Sequence, residues 1–414
     1  MARINPFNFN LPAQPPEFVG RQSELSIFEN FVQNTIDGAP KNYLINGPRG
    51  IGKSSLLEKC AEIAKKKGAF VRIFSTSSNP TGKIATTSEL CRTILLEMYT
   101  EIETQSRLGI IKTTVAVEAK KAIEENLKRS GEFGKPKQVE TPFFVDATTR
   151  IWQSLSKSFS CILIMIDEAE RIETIPNGLD FLRETFIRIE TLKAKYMLAL
   201  SGKMTFPRKA TELASPIMRF FHTETLGNLS ELEMDEFIKI KTETSKITIT
   251  DEAKKQLYLE TKGHPYILVL YLYVLFQKLP EEKNTINSEH YNACKVEIHK
   301  FISKEFFDNL FYRSSRAGKE ILIAIAKLNE LDVELSSITG TLNKTPNRVS
   351  PYIGELVSTG ILIRVEHGHY RLFHQLFLEY LKEGIELGIL GIVPRRRKIV
   401  KMYGEKNRRL SDFG

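Results

Sequence analysis

The chain of 414 residues has only four cysteines, Cys60, Cys91, Cys161 and Cys294, and no two of them form a CxxC pair. Such spacing offers neither a zinc cluster nor a disulfide framework, so buried reduced thiols are expected. No apolar run approaches the roughly 18 residues a transmembrane helix needs, and no transmembrane segment is expected. The first 16 residues are polar and proline-bearing, without the charged-then-apolar layout of a secretion signal. A cytoplasmic location is the expectation from these absences. No fixed-period repeat runs along the chain.

What is present is ordinary for a soluble globular protein: 42% hydrophobic and 26% charged residues. The length exceeds one ordinary core, so two or three domains are expected. The net charge of +9 is uneven. Residues 394–414 hold eight Lys or Arg against two acids, which makes that tail +6 and leaves +3 for the rest. Attraction to a polyanion is therefore concentrated at the C-terminal end.

Short apolar runs at 43–46, 69–75, 161–166 and 196–200 alternate with helical stretches, the pattern of strands buried on both faces of a parallel sheet. This assigns an α/β domain to residues 17–225, behind a lead-in at 1–16. Residues 130–142, with two glycines and two prolines, read as a loop or insertion. Residues 226–312 read as an all-helical lid, broken once at Gly263-His264-Pro265. Three short helices and a hairpin turning at Glu366-His367-Gly368 follow over 313–383, the winged-helix layout, and 384–414 form the basic tail.

Gly47-Pro48-Arg49-Gly50-Ile51-Gly52-Lys53-Ser54, continuing into Ser55, satisfies GxxxxGK[ST] between a strand and a helix. The glycines let main-chain N–H groups converge on phosphate oxygens, and the helix N-terminus adds favourable potential. Lys53 supplies charge for the β- and γ-phosphates, and Ser54 a hydroxyl for Mg²⁺. Asp167-Glu168 closes the run Cys161-Ile162-Leu163-Ile164-Met165-Ile166, at the strand end that faces the ligand crevice of open sheets. Asp167 is the second metal-positioning group, and Glu168 the general base that polarises the attacking water. Ser201, at the end of the next apolar run, is expected beside Asp167, within reach of the γ-phosphate or the water. The fold class is thus an α/β P-loop NTPase with a parallel sheet, followed by an all-α lid domain and a winged-helix domain. The expected cofactors are ATP or ADP with Mg²⁺.

The box Phe18-Val19-Gly20-Arg21, the phosphate loop, ILIMIDEAER and the Gly-His-Pro triplet occur in an order that resembles STAND-type AAA+ ATPases of archaea and bacteria, relatives of the origin-recognition initiators. The resemblance implies that Phe18, Val19 and Gly20 line the adenine pocket and that Pro265 belongs to the motif that sets the lid over the nucleotide. It implies that Arg219 reaches the γ-phosphate of a neighbouring copy. It also implies that His374 contacts the ADP β-phosphate, although Phe373 and Gln375 depart from the family's Met-His-Asp pattern; a cap histidine is the alternative. The expected function is a slow, Mg²⁺-dependent regulatory ATPase that couples nucleotide state to a partner. Two outputs stay open: a protein partner or self-association, and double-stranded DNA held by the helix at 347–359 and the tail. Attachment of the apolar 384–393 stretch to a membrane surface is a third, minor route.

Overall fold

Residues 4–76, 84–132, 140–206, 216–243 and 245–390 are described by a computed structural model. Helix α1 (Gln22–Ile36) leads to β1 (Asn42–Asn46), and α2 (Lys53–Lys66) to β2 (Phe70–Ser75). Three helices, α3 (Thr87–Arg107), α4 (Thr113–Glu132) and α5 (Glu140–Leu155), separate β2 from β3 (Ile162–Asp167). Then come α6 (Gly178–Thr191), β4 (Tyr196–Gly202), the short α7 (Pro216–Phe220) and β5 (Phe221–Thr225).

The five strands pair in parallel in the order β2-β3-β4-β1-β5. All residues of β1 and β4 are buried, and all but the last of β3. Helices cover both faces, which is why these segments are continuously apolar rather than alternating. The side chains of one face, such as Leu44, Ile164 and Leu198, join one core. Those of the other, such as Tyr43, Leu163 and Ala199, join a second core with α1 and α2. Since β1 lies beyond β4 while β2 lies at the far edge, the chain leaving β1 turns back across the sheet. The crevice at that reversal receives the loops after β1, β3 and β4.

Strand β5 has no counterpart in the sequence reading, because Phe221-His222-Thr223-Glu224-Thr225 mixes polar with apolar residues and sits at a sheet edge. The stretch expected as a loop at 130–142 is shorter: α4 runs to Glu132, α5 begins at Glu140, and 133–139 lie outside the described residues.

The lid holds α8 (Glu231–Thr242), β6 (Thr248–Ile249), α9 (Asp251–Thr261), α10 (Pro265–Gln277), β7 (Thr285–Ile286), α11 (Ser288–Ile302), a π-helical turn at Ser303–Phe307 and α12 (Asp308–Arg313). It is not helical throughout as expected, since β6 and β7 pair in parallel. Helix α10 is apolar all round and buries eight of its thirteen residues, which makes it the centre of the lid.

Next come α13 (Arg316–Leu328), β8 (Asp332–Glu334), α14 (Leu335–Leu342), α15 (Pro346–Ser358), β9 (Leu362–Glu366), β10 (His369–Leu372) and α16 (Gln375–Glu386). The three helices and the hairpin occur in the expected order, and β8 adds a third antiparallel strand beside β10.

The lid and this C-terminal module share one apolar cluster. Its seam is aromatic: Phe307 packs against Phe373, Phe377 and Tyr380 with centroids 5.4 to 6.5 Å away. Two boundaries move as a result. The lead-in is not a separate segment, because Phe7 is buried between Phe237 and Phe276 of the lid, and Phe9 packs on Tyr273 and Phe301. The tail does not begin at 384 either: Leu390 is buried and covers Gly384, where a β-carbon would stand 2.4 Å from Leu390 Cγ. The basic residues 394–414 lie outside the described residues. No described helix is long and apolar enough to cross a membrane.

Candidate active site

Strand β1 ends at Asn46, whose buried side chain donates to the Phe206 carbonyl at 2.5 Å and so ties the loop after β4 to the loop after β1. The chain then turns through Gly50 at φ +80° and Gly52 at φ +94°, a backbone that side-chain-bearing residues avoid. Gly52 is the residue from which α2 starts, so the free N–H groups of the first turn of α2 open toward the crevice.

A cavity of about 890 Å³ fills the crevice. Its walls include the phosphate loop at Gly47 and from Arg49 to Ser55, the ends of β3 and β4, the first turn of α10, residues of α8 and α12, and the C-terminal module at Ser358 and Thr359; Pro48, expected among the binding residues, does not line it. The N-terminal segment from Phe7 to Gln14 forms a further wall, pinned where the Ala13 N–H donates to Ser55 Oγ at 3.0 Å.

Lys53 Nζ donates to the Gly47 and Pro48 carbonyls at 3.0 and 2.8 Å. Burial lowers its pKa, and the nearby Asp167 carboxylate works against that shift. Ser54 Oγ donates to Asp167 Oδ2 at 2.6 Å, and the Glu168 N–H donates to Asp167 Oδ1 at 2.9 Å. The two expected metal-positioning groups are therefore adjacent. Among the described residues no group of three or more His, Cys, Asp or Glu is placed to hold a metal. One hydroxyl and one carboxylate suit Mg²⁺, a hard cation that keeps its waters and takes phosphate oxygens rather than a full protein cage.

Glu168 lines the cavity with its backbone at φ +54°, a left-handed conformation uncommon outside glycine. Two contacts from the end of β2 hold it there. Thr76 Oγ1 donates to the Glu168 carbonyl at 2.7 Å, and Ser75 Oγ donates to Glu168 Oε2 at 3.4 Å. Neither contact was read from the sequence, which carries no mark that β2 ends beside β3.

Ser201 needs a correction. It stands beside Asp167 as expected, yet it is fully buried, does not line the cavity, and spends its hydroxyl on Asp167 Oδ1. From that position its hydroxyl orients the carboxylate. The physical reason is that β4 includes Ser201 and Gly202, so the strand ends later than the apolar run.

Phe18 and Val19 line the cavity, while Gly20 does not. Gly20 makes the turn into α1 at φ +69°, where a β-carbon would lie 2.2 Å from Glu233 Oε1. That carboxylate accepts the Arg21 N–H at 3.1 Å and belongs to the capping box of α8 with Ser230, so the box is hooked to the start of the lid.

Pro265 lines the cavity as the first residue of α10, with His264 as the cap accepting the Ile267 N–H. Gly263 is required at φ +70°, since a β-carbon would stand 2.0 Å from the Leu229 carbonyl oxygen. The buried His264 ring packs on Phe306 and Phe373, and burial, aided by nearby His374, lowers its pKa to about 3.

His374 is also corrected. It is buried and absent from the cavity wall. Its Nε2 donates to the Thr261 carbonyl at 3.0 Å, and its Nδ1 accepts the Leu376 N–H at 3.2 Å as the cap of α16. Both ring nitrogens are committed to main chain, and the cap alternative describes this residue. Arg219 stands exposed on α7, outside the cavity of its own chain.

Residues 17–193 match the family model described as AAA ATPase domain, and residues 304–381 match a domain of unknown function. A curated relative, an uncharacterised HTH-type transcriptional regulator of Methanocaldococcus jannaschii, is 22% identical over 397 residues, covering 90% of this chain and 91% of that protein. Among solved structures, a Walker-type ATPase of Pyrococcus abyssi superposes with a TM-score of 0.62 at 17% identity, over 91% of this chain and 99% of that one. The ORC2 protein of Aeropyrum pernix, in ADPNP–ADP complexes, gives 0.56 at 14% identity, over 92% and 98%.

Proposed function

We propose that this chain, whose residues 17–193 match the AAA ATPase domain and whose fold resembles that of the origin-recognition protein, is a nucleotide-binding ATPase that works as an ATP-hydrolysing conformational switch, its lid and C-terminal module moving as one body on the α/β domain. One observation carries the reading: the tip of the phosphate loop touches the lid and the C-terminal module at once. The Tyr266 N–H donates to the Gly50 carbonyl at 3.2 Å, and a β-carbon on Gly360 would lie 2.4 Å from Pro48 Cβ. A change at the phosphates therefore reaches the lid and the module together, and their common aromatic core keeps them in step.

In this reading Phe18 and Val19 hold the adenine, and the main-chain N–H groups from Arg49 to Ser55 cradle the phosphates. Lys53 turns its ammonium from the loop carbonyls to the phosphate oxygens. Ser54 and Asp167 hold Mg²⁺, which when bound neutralises phosphate charge. Ser201 fixes the Asp167 carboxylate. Glu168 accepts the proton of the attacking water, and Ser75 sets the angle of its carboxylate. Arg219, exposed as a reach to a neighbouring copy requires, supplies charge in trans. Turnover is slow because hydrolysis resets a switch.

The test is a pair of variants. Lys53→Ala is expected to abolish nucleotide binding, and Glu168→Gln to retain ATP with turnover lowered about 100-fold, within the usual contribution of a general base. Unchanged turnover in Glu168→Gln removes that residue from its role.

The second reading, duplex DNA as the output, draws on the HTH-type relative and on the N-terminal half of α15, which carries Arg348. Its charge is thin. Lys344 pairs with Glu320, Arg371 pairs with Asp332 at 2.6 Å, and Arg364 lies over the Tyr370 ring. A protein partner or further copies of this chain are the better supported output. Duplex binding at low salt that falls steeply as salt rises would reverse that order.

A further inference from the structure

The His264 ring is 2% exposed, and only one of its two nitrogens is used. Nδ1 accepts the Ile267 N–H at 3.5 Å as the cap of α10. Burial keeps the ring neutral. A neutral imidazole whose Nδ1 accepts must carry its proton on Nε2, so Nε2–H is a donor. It is buried and has no hydrogen-bond partner among the described residues. A buried donor left unmade is costly, and native folds keep few of them.

What lies against this edge of the ring is the phosphate loop. A β-carbon at Gly50 would stand 3.0 Å from His264 Cε1, the atom between the two nitrogens, and 2.8 Å from Tyr266 Cβ. The Tyr266 N–H already donates to the Gly50 carbonyl at 3.2 Å. The Arg49 main chain faces the ring as well and favours its charged form, as a carbonyl turned toward it does. The ring itself is held in place. The His264 N–H and His374 Nε2 both donate to the Thr261 carbonyl, at 2.9 and 3.0 Å, and Phe306 and Phe373 pack on the imidazole. The loop must therefore come to the donor.

A loop that turns its N–H groups toward phosphate turns carbonyls the other way, and those carbonyls need donors of their own. On that back face the lid offers two, the Tyr266 N–H in use and the His264 Nε2–H unused. We propose that His264 is a positioning residue for the phosphate loop, its Nε2–H closing on the carbonyl of Arg49 or Gly50 when nucleotide draws the loop N–H groups to the phosphates. The inference rests on the nucleotide reading above and names the side chain through which the lid registers an occupied site. Loop N–H groups cradle the α- and β-phosphates, which ADP and ATP share, so both nucleotides engage it.

The test uses the full chain with isotope-labelled histidine. In long-range proton–nitrogen NMR spectra the His264 ring, identified by its contacts with the Phe306 and Phe373 rings, is expected to carry its proton on Nε2. That proton is expected to move downfield when ADP or a non-hydrolysable ATP analogue is added with Mg²⁺. A ring protonated on Nδ1, or an Nε2 proton unmoved by saturating nucleotide, overturns the proposal.

Two variants separate the donor from the cap. An asparagine amide reaches about as far as Nδ1, so His264→Asn keeps a cap acceptor and loses the donor. A glutamine amide reaches about as far as Nε2, so His264→Gln keeps the donor and loses the cap. His264→Asn is expected to bind both nucleotides about tenfold more weakly, as loss of one buried hydrogen bond implies, and His264→Gln to stay within about threefold of wild type. His264→Gln as weak as His264→Asn, or His264→Asn as tight as wild type, overturns the proposal too. Wild-type protein that binds neither nucleotide refutes the ATPase reading instead.

Discussion

Gly360 lies directly on Pro48: a β-carbon at Gly360 would stand 2.4 Å from Pro48 Cβ and 2.8 Å from its Cα. Gly360 follows α15 at φ +77°, so the approach is main chain against the phosphate loop, with no side chain to adapt. The closed arrangement of the C-terminal module depends on this one residue having no side chain.

Gly360→Ala is expected to lift the module from the loop. Besides the collision, an alanine at this φ costs about 1–2 kcal/mol. The expected outcome is several-fold faster release of a fluorescent ADP analogue in stopped-flow displacement. An unchanged release rate with a lowered urea midpoint would reduce the contact to a purely stabilising one.

Phe7→Ala tests whether the N-terminal segment belongs to the lid. Phe7 is 1% exposed and sits between two phenylalanines, so its removal is expected to cost about 3 kcal/mol in urea unfolding. Weaker nucleotide affinity is expected alongside, because the same segment walls the cavity and reaches Ser55. A variant with unchanged stability would mean that the segment is not bound to the lid in solution.

Acid is expected to destabilise the protein in two overlapping windows. His264 is held neutral, its pKa lowered to about 3 from the usual 6.5 by burial and by His374. The unfolded chain takes up that proton more readily, so stability is full above pH 6.5 and falls as the pH drops toward 3. Glu260 is lowered to about 2, chiefly by hydrogen bonding to His299 and also by Lys295 at 2.5 Å. Its contribution is full above pH 4.5 and is lost as the pH falls toward 2. Urea midpoints measured from pH 7 to pH 3 should fall continuously, and Glu260→Gln should flatten the part below pH 4.5. A flat profile between pH 6.5 and 4.5 would show that His264 is not held neutral.

The nucleotide half of the site was legible because its chemistry is local in sequence. Gly50, Gly52, Lys53 and Ser54 need fixed spacing to bend a loop and start a helix, and Asp167-Glu168 ends an uninterrupted apolar run. Resemblance carried less well to single residues. His374 was placed at the phosphate by analogy, whereas its two ring nitrogens serve the Thr261 carbonyl and the Leu376 N–H. The role of the N-terminal segment was missed, although Phe7-Asn8-Phe9-Asn10 alternates apolar with polar residues and could have flagged a segment with one buried side.

What the sequence determined by itself is the set of buried strands, the phosphate loop and the acidic strand end, since each follows from the periodicity and backbone needs of a few consecutive residues. Only the tertiary structure decided what closes the cavity. Pro48 meets Gly360 across more than 300 positions of chain. No local pattern marks such a pair, because the contact is made by the packing of α15 on the lid core and not by its own residue order.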